Sequence, residues 1–227
     1  MTKRTDIQLK VCGISNNDDL RQVAGLDVDM IGIDCRKCSP RVMKMISSQA
    51  GTLPDYASLD ISTLEEKPVR AGVFQDDMPQ DIVTRIYNYG LKYVQLSGDE
   101  SEIMIDNLRR TLVPDICESI GIIKTIRIGT AADFAKCKPF EGVADIFLFE
   151  GISNEEGKED VAFDWSLLSE YKGSTPFIVG GNISIASVEA LRELSHPKLC
   201  GVNLDMGFEK ELGSKDIDAL KKFIEVF

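Results

Sequence analysis

Histidine is almost absent from this chain: His196, beside Pro197, is the only one. Six cysteines stand at 12, 35, 38, 117, 137 and 200, but only Cys35 and Cys38 have CxxC spacing, and no second pair follows. A four-ligand zinc centre therefore lacks partners. Arg36-Lys37 between the two thiols would lower a thiol pKa, yet the pair reads most simply as two loop cysteines. No run of roughly eighteen apolar residues occurs, so there is no candidate membrane span. The charged start Met1-Thr2-Lys3-Arg4-Thr5-Asp6 has no apolar signal core behind it, which points away from secretion and toward a cytoplasmic protein with reduced thiols. Basic residues are outnumbered 26 to 37, for a net charge of −11, and form no local patch. Nucleic acid is not an expected partner, nor is a membrane.

What is present is a regular alternation. Eight short apolar runs recur along the 227 residues: Gln8–Cys12, Met30–Cys35, Arg70–Phe74, Tyr93–Leu96, Gly121–Ile126, Ile146–Phe149, Pro176–Val179 and Gly201–Leu204. Each is apolar at nearly every position, as parallel strands covered by helices are. Helical patterns follow the runs. They include Asp18–Ala24 after Asn16-Asn17, Pro79–Tyr89 between a first-turn proline and Gly90, Ile185–Leu194 after Ser184, and Asp216–Val226. The stretch Met43–Lys67 reads as a short helix followed by an excursion containing Pro54. Eight strand–helix units predict one (β/α)8 barrel domain over 1–227, an α/β TIM barrel. An open doubly wound sheet is the weaker fit, because no GxGxxG follows the first strand.

A barrel gathers its chemistry at the C-terminal ends of its strands. Cys12-Gly13 stands at the first, Asp34-Cys35 and then Ser39-Pro40-Arg41 at the second, and Gln75-Asp76 at the third. Gln95 and Ser97-Gly98-Asp99-Glu100 lie at the fourth, Arg127 near the fifth, and Glu150-Gly151 at the sixth. Gly180-Gly181-Asn182 ends the seventh and Asp205-Met206-Gly207 the eighth, the usual place for phosphate in such barrels. A thiol and a carboxyl group facing each other across the mouth fit a base and an acid.

These residues resemble the phosphoribosylanthranilate isomerase family of tryptophan biosynthesis. Lys10-Val11-Cys12-Gly13-Ile14 is similar to its K-[IV]-C-G-[IL], Ser39-Pro40-Arg41 to its S-P-R loop, and Gly72-Val73-Phe74 to its third strand. Gln95-Leu96-Ser97-Gly98-Asp99-Glu100 resembles Q-L-H-G-D-E, Phe163-Asp164-Trp165 matches F-D-W, Gly180-Gly181 matches the glycine pair after strand seven, and Gly201–Glu209 falls on the phosphate-loop region. The similarity runs collinearly through essentially the whole chain. It implies an Amadori rearrangement of N-(5-phosphoribosyl)anthranilate to the 1-deoxyribulose product, with no metal or organic cofactor. It implies Cys12 as base, Glu150 as acid and Arg41 on the anthranilate carboxylate. Gln95, Gly180, Gly181, Asn182, Met206 and Gly207 would complete the substrate and phosphate contacts. Gly13 would leave room for substrate beside the thiol. The partner implied is a small phosphorylated substrate, the assembly a monomer or homodimer.

The sequence departs from the family close to this chemistry. Glu150 replaces the aspartate of L-L-D-T, and Gly157-Lys158-Glu159-Asp160 stands where the family has G-G-[ST]-G. Asp34-Cys35 ends a strand that is usually apolar then aromatic, Asp205-Met206-Gly207 replaces S-S-G, and Ser97 replaces a histidine. Asp34, Glu150 and Asp205 put three carboxyl groups at the mouth, with Arg36, Lys37 and Arg127 available to offset them. A working isomerase with a drifted site is one reading; a repurposed or non-catalytic barrel binding another ligand is the other.

Overall fold

Eight parallel strands close on themselves in the computed structural model, which describes residues 7–43, 45–48, 51–54, 68–113, 117, 119–152 and 161–227. The barrel strands are β1 (Gln8–Ile14), β2 (Met30–Asp34), β3 (Val69–Phe74), β4 (Tyr93–Leu96), β5 (Gly121–Ile128), β6 (Ile146–Gly151), β7 (Phe177–Val179) and β8 (Leu199–Leu204). They pair in sequence order, and β8 pairs with β1 through Gln8 with Gly201 and Lys10 with Asn203. The eight apolar runs of the sequence are these eight strands, longer by a residue or two at several ends and shorter by one at Cys35 and at Pro176.

Period-two alternation divides each strand between two environments. Outward side chains such as Val11, Ile33, Phe74, Phe149 and Leu204 join the large core under the helices. Inward ones form a dry floor low in the barrel, where Met30, Ala71, Ile123, Ile146, Leu148 and Ile178 pack together. Above that floor the inward positions turn polar: Lys10, Cys12, Asp34, Gln95, Thr125, Glu150 and Asn203 are all buried. The chemistry therefore sits on an apolar plug.

Helix ends follow their local sequence. Asn16 caps α1 (Asn17–Ala24) by accepting from Asp19 N at 2.8 Å, as a short polar side chain does at this position. Pro79 opens α2 (Pro79–Tyr89), and Gly90 closes it in the left-handed region at φ 57°. Ser101 caps α3 (Glu102–Leu112), and Ile185–Ser187 forms a 3-10 turn leading into α4 (Val188–Glu193). Asp216 caps α5 (Ile217–Val226), which lays Ile217, Leu220, Phe223 and Ile224 on the barrel.

Two expectations change. After β5 and β6 the covering segments, Ala131–Phe140 and Trp165–Glu170, are 3-10 rather than α-helical. Pro139 lies inside the first, where it removes a donor from any α-helical ladder. The short helix expected after Met43 is instead an antiparallel hairpin of Met45–Ser48 with Gly51–Pro54. Ile46 and Thr52 favour strands, and Pro54 stands at a strand end, where a missing N–H is tolerated. Residues 55–67 of that excursion, and Gly157-Lys158-Glu159-Asp160 of the loop after β6, lie outside the described residues.

Candidate active site

Cys12 is not the last residue of β1, as the sequence suggested; the strand runs two residues further through an irregularity. Pairing with β2 shifts register between Val11 and Ile14, and Gly13 takes a positive φ of 72°. A bulge of this kind redirects side chains at a barrel rim. Here it sets the thiol inside the mouth, directly over Gly32 of β2. A Cβ on Gly32 would lie 2.5 Å from Cys12 Sγ, so Gly32 is the seat of the thiol. The space beside Gly13, expected to receive substrate, is filled by this chain's own groups. A Cβ there would lie 2.3 Å from Asp205 Oδ1 and 2.9 Å from Lys215 Nζ.

Burial pushes the Cys12 thiol above its ordinary pKa; Lys10 works against this by charge and by hydrogen bonding, Asp205 reinforces it, and Lys215 opposes it. Lys10 lies two residues before Cys12 on the same face of β1. Its Nζ donates to Asn203 Oδ1 at 2.8 Å, a neutral partner that leaves the lysine charge available to the thiol.

Glu150 lies near the end of β6, its Cα paired with that of Arg127 on β5. Its side chain leans over Gly180, where a Cβ would come within 3.4 Å of Oε1, so the missing side chain of Gly180 makes room for the acid. The Glu150 pKa is raised to about 7, first by burial and then by Asp205, against the pull of Lys10, Arg127 and Arg36. A carboxyl that keeps its proton near neutrality is suited to donate it.

The two glycine turns meet. Gly181 has φ 100° and no room for a Cβ, which would lie 2.5 Å from Val161 O; Asn182 is left-handed at φ 54°. A Cβ on Gly207, in the 3-10 turn Met206–Phe208, would lie 2.1 Å from Ile183 O. Thus Gly207 packs on the backbone of Ile183, the residue after Gly180-Gly181-Asn182, while Gly181 itself packs on Val161 and Ala162.

Arg41 is part-buried at the mouth with one edge of its guanidinium on Glu209, Nε to Oε1 and Nη2 to Oε2, both 2.8 Å. Glu209 also accepts from Lys215 Nζ at 3.3 Å. Asp34 is fully buried: Arg36 grips it through Nε at 3.0 Å and Nη2 at 2.6 Å, and Ser39 Oγ donates at 2.6 Å. Lys37 is turned outward onto Asp81, away from the mouth. Gln95 Nε2 donates to Ser97 Oγ at 3.1 Å and Thr125 Oγ1 at 3.3 Å, while its Oε1 is buried with no partner among the described residues.

Cys35 is buried in the outer core with its pKa raised to about 12 by burial, whereas Cys38 is exposed. Both are free thiols, and no cluster of metal-ligating side chains occurs among the described residues. Sequence reasoning missed Lys10, Gly32, Glu209 and Lys215. Lys10 carried a signal, its period-two relation to Cys12. The other three act only through contacts made across the fold.

A closed (β/α)8 barrel with a buried thiol and a carboxyl of raised pKa over an apolar floor, with two glycine-bearing turns at the mouth, places the chain among the (β/α)8 barrel enzymes. A family-wide sequence profile described as N-(5'phosphoribosyl)anthranilate (PRA) isomerase matches residues 9–226, and the chain belongs to that family. An N-(5'-phosphoribosyl)anthranilate isomerase of Parabacteroides distasonis is 34% identical over 223 residues, covering 96% of this chain and 91% of the relative. The phosphoribosyl anthranilate isomerase of Thermus thermophilus superposes with a TM-score of 0.76 at 20% identity, covering 96% of this chain and 97% of that one. A second isomerase structure, in complex with reduced 1-(o-carboxyphenylamino)-1-deoxyribulose 5-phosphate, gives 0.75 at 22% identity and 97% coverage of both chains.

Proposed function

We propose that this chain, acting over 1–227 as one barrel, catalyses the reaction its family is named for. It converts N-(5-phosphoribosyl)anthranilate to 1-(2-carboxyphenylamino)-1-deoxyribulose 5-phosphate in tryptophan biosynthesis, in the cytoplasm, as a monomer or homodimer. Glu150 gives its proton to the ribose ring oxygen, and the ring opens to an iminium. Cys12, whose thiol burial holds protonated against the pull of Lys10, first gives up its own proton and then as thiolate takes the proton from C2; the resulting enolamine tautomerises to the ketone. The observation that carries this reading is the buried pair itself: a carboxyl still protonated near pH 7 and a thiol with Lys10 beside it, both in the polar layer of one barrel.

Charge at the mouth supports an anionic substrate despite the acidic sequence. Asp34 is matched by Arg36, Glu209 by Arg41, and Asp205 by Lys215. Glu150, with its pKa raised to about 7, carries only about half a negative charge at pH 7. Lys10, whose bonded partner is a neutral amide, and Arg127 beside Glu150 then stand as surplus cations. The phosphate is expected at the backbone amides around Gly181-Asn182 and Met206-Gly207, the glycine-bearing turns after β7 and β8. Arg41 takes the anthranilate carboxylate by sharing its fork with Glu209 or exchanging from it. Gln95, through its open Oε1, accepts from a ribose hydroxyl.

The test is turnover of freshly generated phosphoribosylanthranilate, followed by loss of its fluorescence. The wild-type protein is expected to turn it over without added cofactor. Folded protein with no turnover would overturn this reading in favour of the repurposed barrel.

A further inference from the structure

Between β8 and α5 the chain makes a small antiparallel hairpin, Glu209–Glu211 with Ser214–Lys215, in which Glu209 and Lys215 are cross-strand partners. Gly213 turns it with a φ of 76°. The tip is fastened to the turn after β1, where Ser15 Oγ and Asn16 Nδ2 donate to Gly213 O at 2.8 and 3.1 Å. The second strand is fastened to α1. There Lys215 N donates to Asp19 Oδ2 at 2.9 Å, and the same oxygen accepts from Asn16 Nδ2 at 2.9 Å. The hairpin is thus tied to the barrel frame, with the Lys215 side chain fully buried and that of Glu209 only 7% exposed.

A row of alternating charges runs from this hairpin to the loop after β2. Lys215 Nζ donates to Asp205 Oδ1 at 3.1 Å and to Glu209 Oε1 at 3.3 Å. Burial opposes the charge on Lys215, but Asp205 and Glu209 outweigh it and hold its pKa above the ordinary lysine value. Glu209 Oε1 is also the acceptor for Arg41 Nε, and Oε2 accepts from Nη2, so the carboxylate is held from both sides. The Arg41 backbone is fixed as well, its N–H donating to Ser39 Oγ at 3.0 Å. A guanidinium has a second edge able to take a carboxylate. In Arg41 that edge, Nη1 with the remaining N–H of Nη2, bonds no described residue, and the side chain stays 13% exposed at the mouth.

We propose, resting on the isomerase reading above, that Glu209 and Lys215 are positioning residues for the substrate's carboxylate. They fix Arg41 by one edge, and the guanidinium receives the anthranilate carboxylate on its Nη1–Nη2 edge while Glu209 stays in place. A fork set in advance loses less freedom on binding than one that must first be released. Displacement of Glu209 by the substrate is the competing arrangement, and it makes the opposite prediction.

The test compares the affinity of two phosphate esters by calorimetry: the product of the proposed reaction, and its counterpart with a phenylamino group that lacks the carboxyl. The proteins are wild type, Glu209→Gln, Lys215→Met and, as reference, Arg41→Gln. Wild type should prefer the carboxyl compound by about tenfold or more, and Arg41→Gln should abolish the preference. Glu209→Gln and Lys215→Met should each reduce it to about threefold or less, with KM for the substrate rising by more than kcat falls. A general loosening of the fold would weaken both compounds alike and leave their ratio where it was. Glu209→Gln keeps the shape of the side chain, so the decision rests on it should Lys215→Met fail to fold. An unchanged ratio in Glu209→Gln would overturn the proposal. So would a ratio that rises, which would make Glu209 a competitor that the substrate displaces. A wild type that binds neither compound would overturn the isomerase reading and this proposal together; one that prefers the carboxyl compound, with variants that keep the full preference, would overturn this proposal alone.

Discussion

At the residue scale the site depends on what is absent beside each reactive group. Gly32 leaves space for Cys12 Sγ, and Gly180 leaves space for Glu150. Gly32→Ala would press a methyl group into the thiol at 2.5 Å. The expected result is a barrel destabilised by about 1–3 kcal/mol in denaturant melts and turnover reduced by about a hundredfold through misplacement of the base. Glu150 gives a pH signature as well. Its folded pKa, about 7, lies above the model-compound 4.5. Its contribution is thus fully present below pH 4.5 and is lost as pH rises through 7. Glu150→Gln does not titrate, so it should be more stable than wild type by about 3 kcal/mol at pH 8 and no more stable at pH 4, read from denaturation midpoints. The candidate base and acid were legible in the sequence because each falls at the end of an apolar run. Their seats were not: a glycine one strand away carries no mark of what it faces.

Buried ion pairs bind the elements to one another. Lys124 of β5 donates to Glu100 Oε2 at 2.8 Å and to Gly98 O at 2.6 Å, and Glu100 Oε1 accepts from Asp76 N at 2.9 Å. One carboxylate thus joins the ends of β3, β4 and β5, with both charged side chains nearly inaccessible to water. Breaking such a pair leaves a buried charge alone. Glu100→Gln should cost about 3–5 kcal/mol by chemical denaturation. Element type was legible where period and caps agreed, as in the eight strands, α2 and α5. It was not legible over 131–140, where Thr130 and Asp133 form a capping box yet Pro139 interrupts the helix that the box announces. Nor was it legible after Met43, where an irregular stretch longer than one helix needs reads as a short helix with an excursion and contains a hairpin.

Over the whole molecule the net charge of −11 misdescribes the mouth. Asp34 is matched by Arg36 two residues on, a pairing the sequence offered, whereas Arg41 with Glu209 spans 168 residues and Lys215 reaches Asp205 and Glu209 only through the folded end of β8. The collinear motifs foretold the barrel and the reaction; the long-range matching of Arg41 with Glu209 belongs to the closed fold.

The central claim is that Cys12 and Glu150 are the base and acid of one isomerisation. The most direct measurement is kcat for phosphoribosylanthranilate at saturating substrate in wild type, Cys12→Ser and Glu150→Gln. Each variant should be confirmed folded by its melting transition. Each is expected to lose at least about a hundredfold in kcat with KM changed little. Wild-type turnover that survives either substitution would contradict the assignment of that residue.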